Sequence, residues 1–366
     1  MTNRILKLQK QIDRLSYHLI TNPVNISYLL DLKFNLKDKE CLLILSKRQA
    51  VLITFPMLGS FYKNICQNLN LELKVIKQKQ ELIKFLKNQT KIKAEKLVLD
   101  SQDIKITEYF DLKKHLSKQI TLGQDPTYKL RALKEEPELN KIIKAQKLTG
   151  QILKQTIEFL KQNLNKQITE TDLACFIAES ALKHKCLNLA FDPIVAFDKN
   201  STNPHHRVSN KVIKSGVLLI DLGIVYKGYC SDLTRTFFIG YPTPEFKTIY
   251  DIVLKALNKS FLLANKTTGF HNLHTNAVNI FKKHSLDQYF IHSIGHGIGR
   301  EIHEEPFTNP SVEGNLVKNT VFTLEPGLYL KNRFGIRIED IVIKKSKVNE
   351  INVFDKTLEN IIIKPA

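Results

Sequence analysis

The stretch "LLIDLGIVYKGYCSDLTRTF", residues 218–237, restricts the fold more than any other part of the chain, because it asks two strand-like segments to carry an acid each. Asp221 follows the apolar run Val217 to Ile220, which reads as a buried strand. Asp232 lies in a second such segment, just beyond the turn-prone Tyr226-Lys227-Gly228. In a hairpin, directly opposed residues share a face, with Cβ atoms about 4.5–5.5 Å apart. An even loop, Tyr226-Lys227 alone or Val225 through Gly228, sets Asp221 opposite Asp232. Gly228 favours the longer version, since it accepts a positive φ at the loop's end. An odd loop throws the two acids onto opposite faces unless a bulge restores them. Two carboxylates that close in apolar strands need neutralising. Either one stays protonated, or a lysine or arginine bridges them (Arg235 is near in sequence), or a metal binds.

Downstream, "IHSIGHGIGREIHEEP", residues 291–306, holds His292, His296 and His303 among glycines at 295, 297 and 299 that let backbone turn closely around a site. Three histidines in such a segment fit ligand and catalytic roles better than structural ones. "FTLEPGLYL" then repeats the anomaly of Asp221 with Glu325, and "GIRIEDIVI" repeats it with Glu339, whose strand neighbour Arg337 shares its face. Four acids flanked by Ile, Leu and Phe read as a converging cluster. Two divalent cations balance four carboxylates, with one neutral imidazole completing the set, and an oxygen-rich site suits Mn²⁺, Fe²⁺ or Co²⁺. Two metals about 3.5–4 Å apart hold a bridging water and present it as hydroxide to a carbonyl.

The remaining chain supplies the frame. Its 366 residues suit two domains. Residues 1–122 read as a small α/β unit, with a helix near 3–15, strands at 41–45, 50–55 and 96–100, and a charged helix near 78–88. Gly123 and Pro126 mark a linker at 123–130. Residues 131–366 read as α+β. A long amphipathic helix starts at Glu136, a second follows the Thr169/Asp172 capping box, a third opens at Thr243-Pro244, and a fourth covers 272–284. Strands are expected at 192–197, 212–222, 229–239, 288–294, 320–330 and 335–344. The net charge of +19 is spread along the chain with no recognised nucleic-acid module, so no nucleic-acid partner is expected. No apolar run reaches the roughly 20 residues of a membrane span. The N-terminus lacks a signal peptide's apolar core, and five cysteines without a C-x-x-C pair fit a reducing compartment. A cytoplasmic protein is the expectation. His271 and His274 read as surface residues of a helix.

The set "IDLG…GYCSDLTRTF", "GHGIG", "HEEP", "EPGLY" and "GIRIED" resembles the pita-bread metallopeptidases, in particular their Xaa-Pro aminopeptidase and prolidase branch. "RLSYHLITNPVNISYLL" resembles the start of that branch's creatinase-like N-terminal domain, and "RALKEEPELNKIIKAQKL" the entrance to its catalytic domain. The resemblance implies that Asp221, Asp232, His296, Glu325 and Glu339 hold two divalent metal ions, manganese first, with Co, Fe or Zn as alternatives. It implies that His205 in "NPHHRVS" lies at the substrate pocket while His206 points away. His292 would hold the proline side of the substrate, His303 would bind the scissile carbonyl, and Arg337 would reach Glu339 and the substrate carboxylate. Glu325 would relay the proton, with Asp340 and Thr234 behind the ligands. The implied activity is release of the N-terminal residue from peptides with proline second, by attack of a dimetal-bridged hydroxide, with Xaa-Pro dipeptidase as the alternative. The implied assembly is a homodimer or larger.

Overall fold

The computed structural model describes residues 2–89, 96–116, 120–266, 269–306 and 316–364. It divides into two compact units, Met1–Arg131 and Ala132–Ala366. The first is built on six strands, β1 (Ser16–Ile20), β2 (Cys41–Ser46), β3 (Ala50–Thr54), β4 (Glu72–Val75), β5 (Lys96–Asp100) and β6 (Ile120–Gly123), in the order β4-β3-β2-β1-β5-β6. Its helices are α1 (Asn3–Gln11), α2 (Pro23–Leu29), α3 (Gly59–Leu69), α4 (Lys79–Gln89), α5 (Ile106–Leu116) and α6 (Thr127–Ala132). Neighbouring strand residues feed different cores: Leu43 and Leu52 pack with Leu8, Ile26 and Tyr62, whereas Ile44 and Val51 pack with Leu97 and Leu99. Burial on both faces explains why these strands read as unbroken apolar runs. The stretch 123–130, expected above as a linker, carries the last residue of β6 and the first residues of α6, where the buried Asp125 accepts from the Thr127 N–H at 2.8 Å.

The second unit opens on α7 (Glu136–Asn163), started by a capping box between Glu135 and Glu138, and continues into α8 (Glu170–Lys183), where Thr169 and Asp172 form the expected box. Strands β7 (Asn188–Leu189), β8 (Ile194–Phe197), β9 (Gly216–Leu222), β10 (Ile224–Tyr226), β11 (Tyr229–Cys230) and β12 (Leu233–Ile239) follow. Then come α9 (Pro244–Ala264), capped by Thr243, and α10 (Phe270–Lys282). The chain ends in β13 (Val321–Leu324), β14 (Gly327–Leu330), β15 (Phe334–Arg337), β16 (Asp340–Lys344), β17 (Val348–Glu350) and β18 (Ile362–Ile363). These strands form four sheets: β18-β12-β9-β8, β11-β10-β7, β13-β16-β17 and β14-β15. Alternation along β9 sends Leu218, Ile220 and Leu222 into the large core shared with Ile152, Phe237 and Val253, and turns Leu219 toward Ile194 and Ala196 on the opposite face. Asp221 falls on that second face.

The hairpin loop is even but differs from either expected version. Tyr226 pairs with Tyr229, leaving Lys227-Gly228 as a two-residue turn with φ of 49° and 82°. Two positive φ values in succession are the mark of a type I′ turn. The register that follows sets Asp221 opposite Thr234, not opposite Asp232. Asp232 stands two residues away on the same face, a diagonal neighbour. The strands expected at 320–330 and 335–344 are each broken, at Glu325-Pro326 and at Ile338-Glu339. The strand expected at 288–294 does not form. A 3-10 turn at Asp287–Tyr289 leads into irregular chain whose hydrogen bonds go singly to β13. His274 is half-buried rather than on the surface, its ring stacked on Phe290.

Asp232 is held where β11 and β12 part by a side chain that imitates a strand. Gln146, fully buried on α7, donates to the Asp232 carbonyl at 2.6 Å and accepts from its N–H at 3.1 Å. Three residues on, the Thr149 hydroxyl meets the Ser231 hydroxyl at 2.6 Å. Gln146→Leu leaves a buried N–H and C=O unpaired, so urea denaturation is expected to show a loss of about 2–5 kcal/mol. A loss under about 1 kcal/mol would mean that this bracket is not what fixes Asp232.

Candidate metal centre and cleft

Each acid of interest sits at a strand's end or break. Asp221 is next to last in β9, Asp232 precedes β12, Glu325 follows β13, and Glu339 precedes β16. At a break, a side chain is not bound to the alternating directions of a ladder and can converge with its neighbours. His296 reaches the same point on irregular chain that runs beside β13. The Glu325 N–H donates to the Ile294 carbonyl at 2.8 Å, the Thr323 N–H to the His296 carbonyl at 2.8 Å, and the His296 N–H to the Thr323 hydroxyl at 3.0 Å. This approach needs glycine: a Cβ on Gly295 would stand 2.0 Å from the Thr323 carbonyl oxygen. The chain then doubles back, with the Glu304 N–H on the Gly297 carbonyl, and sets the His303 ring edge-on to His296, centroids 4.2 Å apart. A buried ion pair, Lys134 to Glu304 at 3.0 Å, fastens that return.

The result is one cavity of about 1040 Å³ whose walls include Asp221, Asp232, His296, Glu325, Glu339, His205, His292, His303 and Arg337. Every residue singled out from the sequence as a ligand or substrate contact is therefore brought to one place. Asp232, His296 and Glu339 each offer a side-chain atom that could bind a metal, and these atoms lie within 4.8 Å of one another. The His296 Nε2 is 3.4 Å from Asp232 Oδ2 and 3.6 Å from Glu325 Oε1.

The electrostatics of this arrangement call for cations. Burial, then the charges of Asp221 and Glu325, push the Asp232 carboxyl well above the usual carboxylate range. Burial, then Asp232, Glu325 and Asp221, do the same to Glu339, and burial raises Asp221 as well. One oxygen of each of these three, Asp221 Oδ1, Asp232 Oδ1 and Glu339 Oε1, is buried without a hydrogen-bond partner among the described residues. The His296 Nδ1 lies 3.2 Å from the Gly297 carbonyl and its Nε2 faces the acids; with Nδ1 donating to that carbonyl, Nε2 offers a lone pair to a cation held between them. The donor set of one imidazole and four carboxylates thus fits hard or borderline divalent ions.

The cation that pairs with Asp221 is Arg337, not Arg235. Arg235 is one residue from Thr234, the ladder partner of Asp221, and so faces the other way. There it meets Asp340 at 2.7 Å and the carbonyls of Glu339 and Phe354. Arg337 is buried in the site and donates to Asp221 Oδ2 at 2.7 Å, the Tyr329 oxygen at 2.8 Å, Thr234 Oγ1 at 3.2 Å and the Pro204 carbonyl at 3.2 Å. The Thr234 hydroxyl in turn donates to Glu339 Oε2 at 2.6 Å. Tyr329, pushed up to about 12 by burial, lies 2.9 Å from His292 Nε2, whose Nδ1 meets the Ser293 carbonyl at 2.7 Å. Burial, then His296, holds His303 down to about 4, so its imidazole is neutral near pH 7 and keeps one N–H to donate.

Sequence reasoning passes over Gln146 and Glu170. Gln146 lies on the apolar stripe of α7 between Ile142 and Leu153, and a polar residue on a buried face is the signal that points to it. Glu170 at the start of α8 reads as an ordinary first-turn acid. It is fully buried and accepts five hydrogen bonds from the chain around His205.

The description "Metallopeptidase family M24" belongs to the family model that matches residues 140–345. A Mycoplasma genitalium protein provisionally named an Xaa-Pro aminopeptidase is 34% identical over 221 residues, which cover 60% of this chain, so the chain spans 61% of that relative's length. The structure of an Xaa-Pro dipeptidase from Bacillus anthracis matches with a TM-score of 0.87 at 26% identity, over 98% of this chain and 99% of that one. That of an X-Pro aminopeptidase from Thermotoga maritima matches with a TM-score of 0.82 at 27% identity, over 98% and 99%.

In protein stripped of metal by a chelator, Asp232→Asn is expected to raise the melting temperature by about 2–4 °C, because it removes one of the converging buried charges. With Mn²⁺ added, the wild type should gain more stability than the variant. A variant that melts lower in both conditions would show that the carboxylates are not in mutual conflict.

Proposed function

This chain belongs to metallopeptidase family M24, with its pita-bread fold, and we propose that within the family it is an Xaa-Pro aminopeptidase releasing the first residue of peptides whose second residue is proline. The observation that carries this reading is one cavity in which the acid-rich centre around His296 meets His205, His292, His303 and the buried Arg337. The same cavity continues past the acids along α8, where Thr171, Ala174 and Ala178 line it, which supports a substrate longer than a dipeptide. The likeness to the Bacillus anthracis dipeptidase supports the second reading, an Xaa-Pro dipeptidase.

In the proposed mechanism Asp221, Asp232, His296, Glu325 and Glu339 would hold two divalent ions, manganese by preference. When bound, these supply Lewis acidity, making water nucleophilic at neutral pH and polarising the scissile carbonyl. Glu325, the least buried of the four acids, takes the proton as water oxygen bonds to the carbonyl carbon. The neutral His303 donates its N–H to the oxygen that gains negative charge. The bond from carbonyl carbon to proline nitrogen then breaks, and the proton held by Glu325 passes to that nitrogen. Arg337 favours the charged form of Asp221 against the burial that raises it and, through Tyr329, orients His292 toward the proline side. A homodimer or larger assembly in the cytoplasm completes the proposal. Among the described residues, no helix is long and apolar enough to cross a membrane.

Two measurements test the reading. Purified protein with Mn²⁺ is offered Ala-Pro beside Ala-Pro-Ala, and products are separated by chromatography. Release of Ala from the tripeptide is the expected result, cleavage of the dipeptide alone favours the second reading, and silence on both with metal bound overturns the substrate class. Glu325→Gln is expected to fold and to lose about 10²–10⁴-fold in kcat. Wild-type turnover by a metal-loaded variant would refute the role given to Glu325.

A further inference from the structure

The loop that brings His205 to the cavity is clamped on both sides of that residue. At its base Glu170 accepts from the Phe197 N–H at 2.7 Å, the Asn200 amide at 2.8 Å, the His206 Nε2 at 2.8 Å, and both the N–H and hydroxyl of Ser209, at 3.1 and 2.6 Å. Burial pushes the Glu170 carboxyl up, but the bonds from Ser209, Phe197, His206 and Asn200 outweigh it and hold it below the usual range. At the other side Arg337 donates to the Pro204 carbonyl. His206 is half-buried and bound to Glu170, while His205 and Arg207 on either side of it are exposed; all three line the cavity.

The guanidinium of Arg207 has no hydrogen bond or ion pair among the described residues. It is the other arginine of the cavity wall, and the contrast with Arg337 is sharp: Arg337 is buried and already shared among four acceptors. An exposed acid, Asp192, also lines the cavity and is not paired with Arg207. A free carboxylate in this cleft is therefore repelled by Asp192 and attracted at Arg207.

We infer that Arg207 is a specificity residue that takes the C-terminal carboxylate of a tripeptide held in the cleft, an inference that rests on the peptidase reading above. Its fixed loop supplies position and its unpaired guanidinium supplies a charge-assisted hydrogen bond. Tripeptides are accordingly preferred over their amides.

The test compares Ala-Pro-Ala with its C-terminal amide in wild type, Arg207→Gln and Arg207→Glu, all with Mn²⁺. KM is read from turnover, and binding is read directly by calorimetry in the Glu325→Gln background, where turnover does not interfere. The wild type should favour the free acid by about tenfold, Arg207→Gln should abolish the preference, and Arg207→Glu should reverse it. A reversal of sign is something a loop that had merely been disturbed would not give. Equal binding of acid and amide by the wild type, or a preference that survives in Arg207→Gln, overturns the inference. If the acid is preferred through Arg207 but neither peptide is cleaved, the carboxylate contact stands and the proline-directed activity falls. If both peptides are cleaved without preference, the activity stands and the carboxylate contact falls.

Discussion

Burying Asp221, Asp232 and Glu339 against one another is the constraint on which the rest of the catalytic unit depends. Each of these carboxylates is pushed up by burial and by its neighbours, and each keeps an oxygen that no described residue satisfies. Buried like charges of this kind cost stability unless something of opposite sign joins them. Arg337 offsets part of the charge through Asp221, and the donor set leaves the remainder to divalent ions. The surrounding polar network follows from the same demand. Thr234 ties Glu339 to Arg337, and Gln146 fixes the backbone of Asp232, so that charges which repel cannot simply swing apart.

Much of this was legible in the chain because burying an acid in an apolar run breaks a pattern. Asp221, Glu325 and Glu339 each stand out beside Ile, Leu or Phe, and the histidines stand out against glycines. The capping boxes and the Thr243-Pro244 start were legible for a related reason, since they are local chemistry completed within four residues. Register was harder. The hairpin loop turned out to be Lys227-Gly228, and a lysine at positive φ carries no sequence mark that separates it from Tyr226-Lys227. The shift of two residues kept both acids on one face, so the consequence survived although the pairing changed. The breaks at Glu325-Pro326 and Ile338-Glu339 were hidden because apolar residues continue on both sides of them.

Partner choice among charged residues was the least legible part, because it depends on which strand face comes near which. Arg235 is close to both acids in sequence yet serves Asp340, while Arg337, more than a hundred positions away, serves Asp221. Period-two alternation explains both outcomes once the register is known. Glu170 shows the same limit. Its place in the first turn of α8 suggests only a favourable charge at a helix start, and nothing local announces that five donors from 197–209 will converge on it.

The two arginines of the cleft show how burial divides labour between identical side chains. A guanidinium has five N–H donors in a fixed fork. Arg337 directs its donors to Asp221, Tyr329, Thr234 and Pro204, so it joins the acid centre, the His292 relay and the His205 loop into one rigid piece. Rigidity of that kind preorganises a site but leaves little with which to grip a ligand. Arg207 has the complementary properties, with its backbone held by the loop's attachment to Glu170 and its head group free in the cleft. Because His206 and Ser209 are both bound to the same carboxylate oxygen, a change at Glu170 would move His205 and Arg207 together. The cavity-facing positions of His205 and Arg207 are thereby mechanically joined through one buried acid.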